Sequence, residues 1–426
     1  MQAGLWEGFR IFADVTRYVL AFLFSCSAAV ALAQEATDTC RFLTYNTLKF
    51  DNSGSDREVH FRTILTSVHP DILVTQELMD TGGAARFRDS VVLTVDTNYA
   101  MASFIDGYDS DNGLFYRKDK YHFISLAIIP TELRNIARFQ MQHIASGVEF
   151  YVYSVHLKAS SGGENAAQRK REVDSLRKNT LTLAEDALYL VCGDFNMYGD
   201  YEEGYAALLE DTQPGFFIDV LQDSLTSTWN NASNARFHTQ STRLDAFGGG
   251  STGGLDDRFD MILCSPQLLD TLNMFLVPPS MKPVGNDGEH YNMAINDPVN
   301  TAVSEALADA LYFASDHIPL FAEFVFRFTE TPVDTTQDST LLAVAADNLP
   351  ELQLYPNPVD TWLAYTCTSP VMHYAIVTLD GRMVCAGGPL SSSSGSIAGL
   401  GDLPSGNYVL RIQIDKGYMQ RTFYKK

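Results

Sequence analysis

The chain has 426 residues, 46% hydrophobic and 19% charged, with a formal net charge of -22. That is the size and composition of a globular protein with one large domain and a smaller one, which excludes a fibrous or wholly disordered chain. The charge is uneven: residues 34–328 hold 41 acidic against 22 basic side chains, and residues 351–426 hold 5 against 6. An acidic body repels phosphodiester backbones at long range and counts against a high-affinity, sequence-independent nucleic-acid binder; it leaves room for an enzyme that meets phosphate through a divalent cation, because a bound cation inverts the local field.

Residues 18–33 carry no charge, follow Arg10 and Arg17, and end in Ala31-Leu32-Ala33. This is the pattern of a secretory signal over residues 1–33, too short for a membrane span, and no later stretch is long and apolar enough to be one. Export leaves Cys40, Cys192, Cys264, Cys367 and Cys385, an odd set without zinc-site spacing. Cys192 and Cys264 sit in apolar strands and read as buried thiols; Cys367 and Cys385 share the short C-terminal region, where an oxidising compartment would allow a bridge.

The body opens with a strand over residues 40–46, apolar enough to be buried on both faces. Ser55-Asp56-Arg57-Glu58 predicts a capping box, followed by a helix whose inner face is Phe61, Ile64, Leu65 and Val68 and which stops at His69-Pro70. A strand over 71–77 finishes on Glu77. Strands over 113–117, 122–129, 136–142 and 148–157 suggest an antiparallel meander, the last with His156 and Lys158 on one side of its end. The helix expected over 164–183 holds Arg169, Lys170, Arg171, Arg177 and Lys178, the only concentrated positive charge in the acidic body. An apolar run over 187–192 then enters Gly193-Asp194-Phe195-Asn196, where a period of two would send Asp194 and Asn196 to one face at the mouth of a sheet. Residues 227–257 are polar and glycine-rich, a functional rim or lid, or otherwise a disordered insertion. A strand over 258–264 carries Asp260 near its start. Gly285-Asn286-Asp287-Gly288-Glu289-His290 lacks calcium-loop spacing and reads as a turn. A helix over 303–311 leads to Ser315-Asp316-His317, and a strand over 320–326 closes the domain.

Asn46, Glu77, His156, Asp194, Asn196, Asp260, Asp316 and His317 thus gather at the ends of apolar strands, which asks for a shared pocket. Their chemistry suits phosphoester hydrolysis. Carboxylates offer hard oxygen ligands to Mg2+ or Mn2+, amides and imidazoles contact phosphate oxygens, and one carboxylate can orient a water. No serine or cysteine nucleophile is required.

In this order, Asn46, Gln76-Glu77, Ser154-Val155-His156-Leu157-Lys158, Gly193-Asp194-Phe195-Asn196, Arg258-Phe259-Asp260 and Ser315-Asp316-His317 resemble the motifs of the endonuclease/exonuclease/phosphatase family, which includes DNase I-like nucleases, abasic-site endonucleases, bacterial sphingomyelinases and inositol polyphosphate phosphatases. The resemblance spans about residues 40–328 and implies an α+β fold, a four-layer α/β/β/α sandwich. It also implies roles: Glu77 as principal metal ligand with Asn46 and Asp316, Asp194 aligning the water, Asn196 holding the phosphate, His317 binding or protonating it under the orientation of Asp260, and His156 at a position where members carry His or Tyr. The expected cofactor is Mg2+ or Mn2+. The expected substrate is a phosphoester, foremost DNA or RNA. The alternatives are a phospholipid or sphingomyelin phosphodiesterase, a phosphomonoesterase, or an inactive surface-binding protein.

Residues 329–350 read as an acidic Thr/Ser linker and 351–426 as a small all-β sandwich with turns at Asp380-Gly381 and Pro404-Ser405-Gly406-Asn407. Its Tyr355-Pro356-Asn357-Pro358 opening and Leu403-Pro404-Ser405-Gly406-Asn407-Tyr408 segment resemble the C-terminal sorting domain of the type IX secretion system. That resemblance implies a secreted or surface-attached enzyme whose partner is the secretion machinery and whose tail is removed; a carbohydrate- or partner-binding module is the other reading, and the protein is expected to be a monomer.

Overall fold

The computed structural model describes residues 34–330 except 55 and 247, and residues 352–426 except 368–369, 379–382, 388–391, 402 and 415–416. The expected signal, residues 331–350 of the expected linker, Ser55 of the expected capping box and the turn at Asp380-Gly381 lie outside them. The chain divides into two compact units, residues 1–332 and 333–426.

Two sheets build the larger unit. The first contains β1 (Gln34–Phe50), β2 (Ile72–Leu78), β3 (Tyr99–Met101) and β4 (Asp111–Arg117). The second takes β5 (Tyr121–Ile129), β6 (Ile136–His143), β7 (Glu149–His156), β8 (Tyr189–Asp194) and β9 (Asp260–Cys264), and the chain then returns to the first with β10 (Met274–Pro283) and β11 (Leu320–Glu330). The orders are 10-11-1-2-4-3 and 5-6-7-8-9. The meander holds for β5, β6 and β7, but the expected strand over 113–117 belongs to the other sheet, antiparallel to β2. At the site-bearing strands the pairing is parallel, β1 with β2 and β7 with β8.

Between the sheets lies an apolar layer that includes Phe42, Val74, Leu114, Phe139, Val152, Leu190, Ile262 and Phe324. A second layer covers the outer face of the first sheet with α1 (Arg57–Val68), α2 (Thr81–Arg86, continued by a π-helical turn over Phe87–Val92) and, late in the chain, the Glu305–Ala314 helix. A third lies under α3 (Gly163–Thr180) and α4 (Glu203–Leu209) on the outer face of the second sheet. With Glu305–Ala314 as α5, the result is the expected DNase I-like four-layer sandwich. Helix α1 forms as its pattern requires: Phe61, Ile64, Leu65 and Val68 are buried, and the left-handed His69 (φ 48) ends it before Pro70. Asp56 makes no side-chain cap to this helix, and Glu58 turns instead to Arg86, 2.6 Å away.

The smaller unit has β12 (Gln353–Tyr355), β13 (Trp362–Thr366), β14 (His373–Thr378), β15 (Met383–Gly387), β16 (Ser394–Ala398), β17 (Gly406–Ile414) and β18 (Gly417–Lys425). They form two antiparallel sheets, 12-13-16 and 15-14-17-18, around Leu363, Tyr365, Ile376, Ile397, Leu410 and Phe423. No disulfide joins Cys367 to Cys385 among the described residues; Cys192 and Cys264 are buried, as expected, and so is Cys40.

Candidate active site

Strand register does the first part of the assembly. His156, Asp194 and Asp260 are direct partners in one row across β7, β8 and β9. On the other sheet Asn46 lies opposite Gln76, next to Glu77. Gln76 joins the two sheets, donating to Ser154 Oγ at 3.0 Å and to Thr44 Oγ1 at 3.2 Å. Gly193 has to be glycine: its φ is 125, and a Cβ there would lie 2.1 Å from the Val155 carbonyl oxygen.

The strand ends then leave regular geometry. Asn196 has φ 53, so a left-handed turn sets its side chain, in place of the strand alternation read from the sequence. Its N–H donates to Asp194 Oδ1 at 3.0 Å, and its Nδ2 to the Leu157 carbonyl at 3.2 Å. Glu77 also stands at positive φ, 61, within a register shift of β2, and β1 bulges through the left-handed Leu48 and Lys49.

At the centre, Asn46 Nδ2 donates to Glu77 Oε1 and to Asp194 Oδ2, both at 3.1 Å, while Asn46 Oδ1 accepts the Leu48 N–H at 3.0 Å. Lys49 N–H donates to Glu77 Oε2 at 2.8 Å. His156 Nε2 stands 3.7 Å from Glu77 Oε1 and 3.6 Å from Asp194 Oδ2. His317 Nδ1 is paired with Asp260 Oδ2 at 2.6 Å, and its Nε2 is 3.6 Å from Asp194 Oδ2.

Burial and crowding set the charges. Burial raises the Asp194 pKa; the neighbouring His317 pulls it down, and the Asp260 and Glu77 carboxylates push it further up. For His317 burial opposes the cation, but the carboxylates of Asp260 and Asp194 overcome it and hold the imidazole pKa well above its ordinary value. His156 goes the other way: burial, then the positive charges of Arg134 and His317, keep it neutral. One imidazolium and one neutral imidazole thus face the same carboxylate.

Glu77, His156 and Asp194 bring one ligand atom each within 4.8 Å of one another. A divalent cation fits this group, because two crowded carboxylates and a neutral imidazole are a donor set whose mutual repulsion a cation relieves. The other two expected ligands are placed differently. Asn46 offers the carboxylates its N–H bonds; ligation through Oδ1 would need the amide to turn and release Leu48. Asp316 Oδ2 accepts the Ser251 N–H at 2.6 Å and lies outside the three-residue group, while its buried Oδ1 has no hydrogen-bond partner among the described residues.

A family model described as the Endonuclease/Exonuclease/phosphatase family matches residues 43–317. The chain belongs to that family. Its fold is that of a phosphoester hydrolase. Similar solved structures include TDP2 of D. rerio complexed with single strand DNA product, 18% identical, matched over 67% of this chain and 99% of its own, with a TM-score of 0.45. The catalytic domain of human Nocturnin with a bound sulfate anion is 16% identical over 69% and 97%, TM-score 0.43, and a family protein from Bacteroides thetaiotaomicron is 16% identical over 68% and 99%, TM-score 0.44. Comparison with curated proteins finds no match.

This family member also uses residues that no motif marked. Gln240 Nε2 is 2.5 Å from His317 Nε2 and 3.5 Å from Asp316 Oδ2. Its main chain bridges Asp257 on one side and His317 on the other, so the loop over 227–257 lines the site with buried residues. Arg57 donates to the carbonyls of Thr47, Leu48 and Ala314, tying the β1 bulge to the end of α5, just ahead of Asp316. The basic cluster of α3, by contrast, is largely paired. Arg169 is buried in a two-pronged pair with Glu202 (2.8 Å on each prong), Lys170 meets Asp174, Arg171 meets Glu132, and Arg177 donates to the Glu210 carbonyl.

Proposed function

We propose that this is an exported, metal-dependent phosphodiesterase that hydrolyses nucleic acid by direct attack of water. The observation that carries the reading is geometric: the buried Asp194 carboxylate faces His317 Nε2 at 3.6 Å, and Asp260 holds the other ring nitrogen of His317 at 2.6 Å. Asp194 can accept a proton from water. His317 can give one, or a hydrogen bond, to the phosphoryl group as charge builds on it. The Asn196 amide would contact the phosphate oxygens. Mg2+ or Mn2+ held by Glu77, Asp194 and His156 would neutralise those oxygens and polarise the phosphorus, with Asn46 and Asp316 supporting the group.

One feature favours a nucleic-acid substrate over a lipid one. The aromatic residues that a membrane-inserting hairpin would need near 229–237 are packed inside: Trp229 is 1% exposed and Phe237 8%. Trp229 instead lies under the Arg258 guanidinium, 5.0 Å away. The pairing of α3 removes its claim as a polyanion surface, so the reading places phosphate recognition at the catalytic group itself. The leader and the C-terminal β unit are read, as part of the same proposal, as export and type IX sorting segments.

The purified protein is tested against plasmid DNA, RNA, sphingomyelin and a phosphomonoester with Mg2+ or Mn2+. Nucleic-acid cleavage is expected, abolished by EDTA and restored by either metal, and reduced at least 100-fold in Asp194→Ala and His317→Ala. Cleavage of sphingomyelin alone, or full activity in both variants, refutes the proposal. Intact-mass analysis of culture supernatant tests export: the secreted form should lack residues 1–33.

A further inference from the structure

We infer that a cavity beside the catalytic group is a stacking pocket for the nucleobase next to the scissile phosphate, walled by Tyr198 and Tyr201. The inference rests on the nucleic-acid reading above. The cavity holds about 500 Å3 and is lined by residues 161–163, by Tyr198 and Tyr201, and by Arg169, Glu202 and Glu203. That volume is in the range of small-molecule sites.

Both walls grow out of the catalytic segments. Residues 161–163 follow His156 by a short loop, Tyr198 follows Asn196 by two residues, and the Asn196 amide ties the walls together through the Leu157 carbonyl at 3.2 Å. The Tyr198 hydroxyl is near enough to the centre for the Asp257 and Asp194 carboxylates to add to the effect of burial on it.

Each ring is held in advance. Tyr198 has the Arg169 guanidinium 5.6 Å from its centroid and the edge of Phe259 at 5.1 Å, and its N–H donates to Glu202 at 3.0 Å. Tyr201 is 61% exposed, yet its ring packs on Gly199, where a Cβ would lie 2.4 Å from a ring carbon. An exposed aromatic surface that is already fixed loses little freedom when a planar partner stacks on it.

The chemistry favours a neutral planar occupant. Arg169 and Glu202 neutralise each other and are 1% and 3% exposed, so this pair adds no net charge to the pocket, whose other charged lining residue is the exposed Glu203. A quaternary ammonium would have to share the Tyr198 ring with a guanidinium, whereas a base stacks without that conflict. Because every base has a π-face, the pocket should register the presence of a base more than its identity.

The test compares a short single-stranded oligonucleotide with the same strand carrying tetrahydrofuran abasic residues around the cleavage position, using full-length protein and the variants Tyr201→Ala and Tyr201→Trp. The wild type and Tyr201→Trp should prefer the base-bearing strand by about tenfold or more in kcat/KM, and Tyr201→Ala should bring that ratio towards one. If the wild type cleaves both strands equally, or if Tyr201→Ala leaves the ratio intact, the pocket assignment fails while the nucleic-acid reading stands. If the wild type cleaves neither strand but hydrolyses a choline phosphodiester in a Tyr201-dependent way, the pocket holds an ammonium head and both readings fail.

Discussion

Replacing Asp260 by Asn keeps the size of the side chain and removes its charge. Asp260 Oδ2 lies 2.6 Å from His317 Nδ1, and both side chains are almost wholly buried, at 0% and 2% exposure. Among the influences that raise the His317 pKa, Asp260 comes first, against the opposing effect of burial. In Asp260→Asn the His317 pKa should therefore fall, with only Asp194 and Asp316 left to oppose burial. A hydrogen bond to a charged group is worth about 1.5–3 kcal/mol, and at 1.36 kcal/mol per factor of ten this corresponds to about a 10- to 150-fold fall in kcat. Initial rates on a chromogenic phosphodiester, with circular dichroism to confirm folding, measure it. Because Asp260 acts through His317, the double variant with His317→Ala should be no slower than His317→Ala alone. Full kcat in a folded Asp260→Asn protein, or additive losses in the double variant, would refute the reasoning.

Three further predictions concern the frame of the site. Gly193→Ala should cost more than about 3 kcal/mol, because the added Cβ meets the Val155 carbonyl at 2.1 Å and positive φ disfavours any side chain; urea unfolding would show a near-normal midpoint if this is mistaken. Arg169→Met leaves Glu202 charged, buried and unpaired, a loss of about 3–5 kcal/mol, whereas pairing it with Glu202→Leu should recover a large part of that loss, as read from the same unfolding curves. Asp287 accepts from the Thr301 and Glu289 amides and from His290, and against the effect of burial these partners lower its pKa to about 2. A depressed carboxylate stabilises the fold above its unfolded pKa of 3.8 and loses that contribution as pH falls towards about 2. Asp287→Asn should therefore be about 1–2 kcal/mol less stable than wild type at pH 7, with the difference shrinking between pH 4 and pH 2; an unchanging gap would count against it.

Apolar runs made most of the frame legible. The strands around Phe42, Leu190 and Phe324 were evident because each is a continuous hydrophobic run bounded by polar residues. Strand β10 was not, because Pro278 and Pro279 interrupt it; it is tolerated as an edge strand whose register shifts between Val277 and Lys282. Helix α2 was hidden by Gly82 and Gly83, poor helix formers, although Gly83 is needed because a Cβ there would lie 2.6 Å from the Phe50 carbonyl oxygen. The buried pairing of Arg169 and Arg258 was not legible, since their partners, Glu202 and Asp219, are 33 and 39 residues away. Gln240 had no signal at all: its place depends on bridges to Asp257 and His317 that only the folded loop creates.

The least legible property of the site is also what makes it rigid. Leu48, Lys49, Glu77 and Asn196 all stand at positive φ, a conformation that costs a non-glycine residue about 1 kcal/mol or more. Three of them direct their own N–H at a neighbouring site side chain: Leu48 at Asn46 Oδ1, Lys49 at Glu77 Oε2 and Asn196 at Asp194 Oδ1. Each of these three strained residues therefore aims a backbone donor at a side chain of the candidate site, and each of those side chains holds the strained turn in place. A carboxylate fixed in this way cannot be re-aimed by a side-chain rotation alone, since the turn would lose its partner. The same hydrogen bonds explain why a period-two reading of Asp194 and Asn196 reached the right pair by the wrong geometry: the two share a pocket because the chain leaves the strand at Asp194, and the amide that makes the turn is the one that fixes the carboxylate.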